Sequence, residues 1–180
     1  MADSPIEAAL TQALGSLDPA LELRAETDAD YPFIAALFAE TRRDELTHVP
    51  WPEQAKRDFL ASQCRLQHDH YAKHYADAEL LLIECSGRPI GRIYVHASTG
   101  EIRLMEIALL GSYRNRGIGT ALVRGLQDLA ARRQICVTLH VEPTNPAQNL
   151  YRRLGFGFVE NRGIYDFLDW SPTARPSADS

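Results

Sequence analysis

The sequence predicts a mixed α/β fold, a sheet layered with helices, and three observations carry that expectation. Strand-like segments alternate with segments of helical period in the order β-α-α-β-β-β-α-β-α-β-β. The length, 180 residues, suits one domain with a short appendage. Hydrophobic residues make up 45% and charged residues 24%, the composition of a chain that buries a core without disulfide staples.

Each element has its own signal. Ser4 with Glu7 fits a capping box and Pro5 fits a first helical position, so a short helix is expected over 5–14, stopping at Gly15. Its apolar residues are sparse, so residues 1–20 read as an N-terminal appendage that either packs on the surface or frays. The domain, 21–170, opens with the alternating strand Leu21-Glu22-Leu23-Arg24-Ala25. Thr27 with Asp30 is a second capping signal, and Phe33, Ile34, Leu37 and Phe38 lie at helical spacing within 29–46. Pro50 and Pro52 break the chain before a helix over 53–75.

That second helix carries two stripes. Leu60, Cys64, Tyr71 and Tyr75 read as core, whereas Gln63, Gln67, His70 and His74 read as a solvated face or a substrate-facing wall. No third ligand joins His70 and His74, so no metal site is expected. Leu80 to Cys85 form a buried strand, 90–97 pairs back across Gly87-Arg88-Pro89, and 102–110 follows the turn at Thr99-Gly100. A helix to 133 puts Leu122, Leu126 and Leu129 on one face. Residues 135–141 read as a strand rich in β-branched residues, a short helix ends at Leu154-Gly155, and 156–160 and 164–170 are the last strands. The strand ends at 165–170 are apolar, a candidate homodimer surface. The tail, 171–180, with two prolines and three serines, reads as disordered.

The net charge is −5 and the isoelectric point about 5.7. A nucleic-acid partner is not expected, since the basic surplus is missing. Cys64, Cys85 and Cys136 form no CxxC pair and read as free thiols in a reducing compartment. With no basic leader at the N-terminus and no long apolar run, the expectation is a cytoplasmic protein with no membrane contact.

The most informative segment is Arg114-Asn115-Arg116-Gly117-Ile118-Gly119-Thr120, between a strand and a helix. The first amides of a helix lack intrahelical partners and sit at the positive end of its dipole. Glycines let a phosphate approach them, and arginines add charge-assisted bonds. A nucleotide P-loop would need a Lys after the second glycine, and a dinucleotide fingerprint a glycine where Leu122 stands. An acyl-CoA site is the remaining reading.

On these residues the chain resembles the GNAT superfamily of N-acetyltransferases. Arg114 to Gly119 matches that family's [QR]-x-x-G-x-[GA] signature. Asn145-Pro146-Ala147-Gln148-Asn149-Leu150-Tyr151-Arg152-Arg153-Leu154-Gly155-Phe156 resembles its Asn loop and LYxxLGF helix end. The resemblance implies a GNAT-like, mixed but mostly antiparallel sheet with helices on both faces and a splayed central strand pair. It implies acetyl-CoA as co-substrate and direct transfer to a primary amine of a small molecule or peptide. Ile107, Ala108 and Leu109 would hold the pantetheine arm, and the amides from Arg114 to Thr120 the pyrophosphate. Tyr151 would lie near the thioester sulfur as general acid. Many members have seven residues from the Asn to the Tyr; here there are six. Asn145, Thr144 or Asn149 therefore carries the loop's cofactor contact.

Direct attack needs a neutral amine, and lysine-like amines have a pKa near about 10.4, so a base is required. His140 and Glu142, at the end of the strand before the Asn loop, are candidates. His140 is otherwise a hydrogen-bonded strand residue. Glu106 on the cofactor strand is a third candidate, or else an ion-pair partner of Arg103. Asp44 and Glu45 would attract a cationic amine and Trp51 would cover its apolar part, or the three belong to a plain surface loop.

Overall fold

Seven strands form one sheet, ordered β1-β2-β3-β4-β5-β7-β6, in a computed structural model that describes residues 4–172. The strands are β1 (Leu21–Ala25), β2 (Glu79–Cys85), β3 (Arg88–Ala97), β4 (Glu101–Leu109), β5 (Cys136–Val141), β6 (Gly157–Arg162) and β7 (Tyr165–Trp170). The helices are α1 (Pro5–Leu17), α2 (Tyr31–Arg42), α3 (Glu53–His74), α4 (Ile118–Arg133) and α5 (Ala147–Arg153). The expected tail lies outside the described residues from position 173 onward.

Every strand pair is antiparallel except β4 with β5. That parallel ladder runs from Glu101↔Cys136 only to Leu104↔Leu139. Beyond it both strands continue without each other, so the sheet splays at their C-terminal ends.

Side-chain alternation divides the core between the two faces. Leu81 and Ile83 of β2 point to the α1–α4 side and join Leu10, Leu14, Leu122, Leu126 and Leu139. Leu82 points the other way, to Ile34, Phe38, Leu60 and Cys64 of α2 and α3. The first helix does not stop at Gly15. It runs to Leu17, and Ser4 caps it by accepting from Glu7 N–H. Its sparse apolar residues all face one way, so Leu10 and Leu14 are fully buried against α4. Each such leucine contributes roughly 1.5–3 kcal/mol by burial. The helix expected over 29–46 ends at Arg42 and tightens into a 3-10 turn, Arg43–Leu46.

Two local features place the site. In β3–β4 the register passes from Tyr94↔Glu106 to Val95↔Leu104, leaving Met105 as a β-bulge. Strict alternation would put Glu106 on the apolar face with Leu104; the bulge turns it toward α3. At the far edge, β7 is paired on both sides and β6 carries the free edge. The strand end considered for dimer contacts is thus interior to the sheet.

Candidate active site at the splayed strands

The cradle begins where β4 ends. Glu40 of α2 accepts from Gly111 N–H at 2.6 Å, and Arg114 Nε donates to the Leu109 carbonyl at 3.0 Å, so side chains clamp the loop at both ends. The Arg116 guanidinium lies over the Tyr113 ring. Asn115 and Gly117 are left-handed, with φ of 58° and 83°. Gly117 is the N-cap of α4, and a side chain there would strain the turn. The first bond of α4 runs from Ala121 N–H to the Gly117 carbonyl. The amides of Ile118, Gly119 and Thr120 therefore have no intrahelical acceptor. A Cβ on Gly119 would meet Leu150 of α5 at 3.5 Å and Ile107 of β4 at 4.0 Å. That glycine keeps the gap between α5 and β4 open. A cradle of free amides beside the splay, with arginines at its rim, fits the diphosphate and arm of an acyl-CoA.

On the α3 side the bulged Glu106 enters a polar cluster. Its Oε1 accepts from Arg92 Nη2 at 3.2 Å, and its Oε2 accepts from Gln67 Nε2 at 3.1 Å and from the Tyr71 hydroxyl at 3.5 Å. Arg92 also donates to Gln67 Oε1 at 2.8 Å and to the Tyr94 hydroxyl at 3.2 Å. The Tyr94 hydroxyl donates in turn to Glu26, 3.9 Å from His68 Nδ1. Arg103 pairs with Glu101 at 2.6 Å, so the ion-pair partner of Glu106 is Arg92, not the Arg103 that chain proximity suggested. Burial pushes the Glu26 carboxyl and the Tyr71 and Tyr94 hydroxyls above their ordinary values.

Tyr151 of α5 is buried, its ring edge-on to Phe156 at 5.7 Å. Burial first, and the Glu106 charge second, push its hydroxyl up to about 12. Gln127 ties α4 to this helix, donating to the Leu154 carbonyl at 2.7 Å.

The other candidates do not join this cluster. His140 lies on the Phe167 ring at 5.0 Å, and its Nε2 is 3.3 Å from Arg162 Nη1. Burial, then Arg103 and Arg162, hold its pKa below the ordinary value. The Asn145 carboxamide oxygen accepts from the N–H of Ala147, the first residue of α5, while Asn149 lies 3.5 Å from Arg152. The carbonyl of Glu142 accepts from Gln148. Glu45 lies 3.7 Å from Arg42, Asp44 is exposed, and Trp51 packs edge-on against Phe59. Among the described residues no hydrogen bond or ion pair joins that loop to Glu106 or Tyr151. Nor, among them, are three or more His, Cys, Asp or Glu grouped to hold a metal ion, and no helix is long and apolar enough to cross a membrane.

Sequence reasoning missed Arg92, Tyr94 and Glu26, read Gln67 as part of a solvated face or a substrate-facing wall, and read Tyr71 as core. The one available signal was an arginine inside an otherwise apolar strand, Ile90 to Val95.

The chain is similar to known proteins. Residues 32–156 match the family model described as "Acetyltransferase (GNAT) family". Mycothiol acetyltransferase of Corynebacterium glutamicum is 32% identical over 105 residues, 57% of this chain and 36% of that protein. L-2,4-diaminobutyric acid acetyltransferase of Streptomyces coelicolor is 30% identical over 96 residues, 52% of this chain and 56% of that protein. The chain thus aligns with little more than a third and a half of those relatives. The fold matches that of PaiA N-acetyltransferase from Thermoplasma acidophilum, solved with coenzyme A, at TM-score 0.64 and 15% identity, over 84% of this chain and 98% of that one. The family match runs from α2 to Phe156 and encloses the splay, the cradle and Glu106, so the chain belongs to the GNAT acetyltransferase family.

Proposed function

We propose that this protein is an acetyl-CoA-dependent N-acetyltransferase acting on a primary amine of a small molecule or peptide. The observation that carries the reading is the end of the β4–β5 ladder at Leu104/Leu139, with the open amides of α4 beside the splay and the Glu106 carboxylate on its α3 side. Relatives named for acetyl transfer, one of them for a diamino acid, support it.

Bound acetyl-CoA would supply an activated acyl thioester. The amides of Ile118 to Thr120 would hold its diphosphate with Arg114 and Arg116, and β4 from Ile107 to Leu109 would lie along its arm. An ammonium cannot attack, so Glu106 accepts the proton of the incoming amine, directly or through a water. Tyr151 keeps its proton at neutral pH and holds it for the departing sulfur. His140 is the weaker base candidate, because Arg162 already faces its Nε2 lone pair.

A panel of polyamines, amino acids, aminoglycosides and peptides tests the reading through thiol release from acetyl-CoA. Release with at least one amine supports it. Calorimetric binding of acetyl-CoA without release for any amine points instead to a non-catalytic acyl-CoA-binding module. No binding at all removes both readings.

A further inference from the structure

We infer that Arg92 is a positioning residue, a buried counter-charge that fixes the Glu106 carboxylate at the splay and leaves it one open acceptor site. The inference rests on the proposed role of Glu106 as proton acceptor. Arg92 stands in the central strand β3 and is 2% exposed. Taking a guanidinium out of water costs several kcal/mol unless it is paired and hydrogen-bonded. An apolar residue at that position would cost nothing of the kind, and the opposite face of the same strand is filled with Ile93 and Val95.

The bonds form a closed ring. Arg92 holds Glu106 Oε1 and Gln67 Oε1, and Gln67 Nε2 returns to Glu106 Oε2. With the Tyr71 hydroxyl, three donors reach a carboxylate that offers about four lone-pair sites. All three come from β3 or α3, so rotation about the last torsion is blocked. The unfilled site is the second lone pair of Oε1. On its other side Arg92 is braced by Tyr94, through Nη1 and the ring face, and Tyr94 is braced by Glu26. The guanidinium fork serves Glu106 and Gln67 through Nη2 and Tyr94 through Nη1; a lysine is a point charge that cannot span both sides.

The titratable groups around Glu106 are Arg92 and Tyr94 of β3 and Tyr71 of α3, with Glu26 behind Tyr94 and Cys64 of α3 and Tyr151 of α5 farther off. Burial pushes the Cys64 thiol and all three tyrosines upward, so they stay neutral where a carboxyl titrates. Through that range Arg92 is the charged partner.

The test is a carbon-13 NMR titration of the carboxyl signals of the full chain labelled at glutamate, with Glu106→Gln assigning the Glu106 signal. Removing an opposite charge at this range moves a carboxyl by about 1–3 pH units. Arg92→Gln, folded by its melting curve, should therefore raise the Glu106 midpoint by at least about one unit, tenfold in proton affinity. Arg92→Lys should keep the midpoint within about half a unit, because the charge remains. It should still lower kcat at least tenfold with the best amine of the panel, because the fork is lost. If Arg92→Gln does not fold, Gln67→Leu on the half-buried side of α3 opens the same ring without stranding a charge. It should raise the midpoint by a smaller step. A midpoint unmoved in every folded variant overturns the inference. Parental turnover in Glu106→Gln overturns the reading of Glu106 itself, and the NMR titration of Arg92→Gln does not depend on that result.

Discussion

On the α1–α4 side of the sheet, β3 presents Ile93 and Val95 and β4 presents Ile102 and Leu104, all at most 3% exposed. On the α2–α3 side the same two strands present Arg92, Tyr94 and Glu106, and α3, 22 residues long, buries only Leu60 and Cys64. The first face is close-packed hydrocarbon, whose stabilisation scales with buried area and needs no particular geometry. The second holds charges in a low-dielectric setting, where each bond matters and an unpaired group is costly. A strand alternates its faces at every residue, so one sequence can serve stability on one side and chemistry on the other. The comparison predicts that substitutions on the first face change melting and leave turnover, whereas those at Arg92, Tyr94 and Glu106 change turnover.

Leu10→Ala should give the largest effect. Leu10 is fully buried between α1 and α4, and a leucine truncated in such a site costs about 2–5 kcal/mol. Denaturant unfolding measures it, while kcat at 25 °C should stay within about twofold of the parent. A cost below about 1 kcal/mol would mean that α1 is an accessory to the core and would break the comparison on its first side.

Tyr151→Phe probes the place where the two sides meet. The ring stays against Phe156, and only the hydroxyl is lost. We expect kcat to fall by roughly 10–10³ with acetyl-CoA affinity within about threefold. Unchanged kcat, with chemistry shown to limit the rate, would reduce Tyr151 to a packing residue.

Gly119→Val tests the cradle without the strain that a change at Gly117 would add. The new Cβ finds ordinary contact distance to Leu150, so the fold should hold, but the gap beside Ile107 narrows. Calorimetry should show acetyl-CoA binding weakened at least tenfold, about 1.4 kcal/mol. Parental affinity in the folded variant would move the binding groove away from α4.

The cradle was legible because it is local. Gly117, Gly119 and the arginines act through their own backbone and neighbours in the chain, so spacing alone discloses them. The Glu106 cluster was not, because it is assembled from β3, β4, α3 and the loop after β1 by one irregularity. Alternation along β4 places Glu106 with Leu104, and only the bulge at Met105 sends it to Arg92. Gln67 and Tyr71 fell into different stripes of α3, yet both touch Glu106, since a carboxylate at that depth reaches the border between them. Asn145 was legible as a loop residue, but its bond to Ala147 N–H depends on the turn at Pro146.

The smallest effect is expected at His140, and it separates two of the three base candidates, His140 and Glu106. For Arg162 to donate to Nε2, that nitrogen must be unprotonated and the hydrogen must sit on Nδ1. No lone pair then faces an incoming amine. Burial, Arg103 and Arg162 hold the folded pKa below its ordinary value near 6.5. Below that pH the unfolded chain takes up the proton more readily than the folded one, so this residue withdraws stability as pH falls and leaves it intact above. His140→Gln cannot titrate. Its melting temperature should therefore fall less than the parent's between about pH 7 and 5, and its kcat at pH 8 should stay within about threefold. If instead turnover drops by roughly 10² and the rate loses its rise between about pH 6 and 8, His140 is the base. Glu106 would then serve to attract the amine rather than to deprotonate it, and the division between the two sides of the sheet would have to include the open face of β5 and β7.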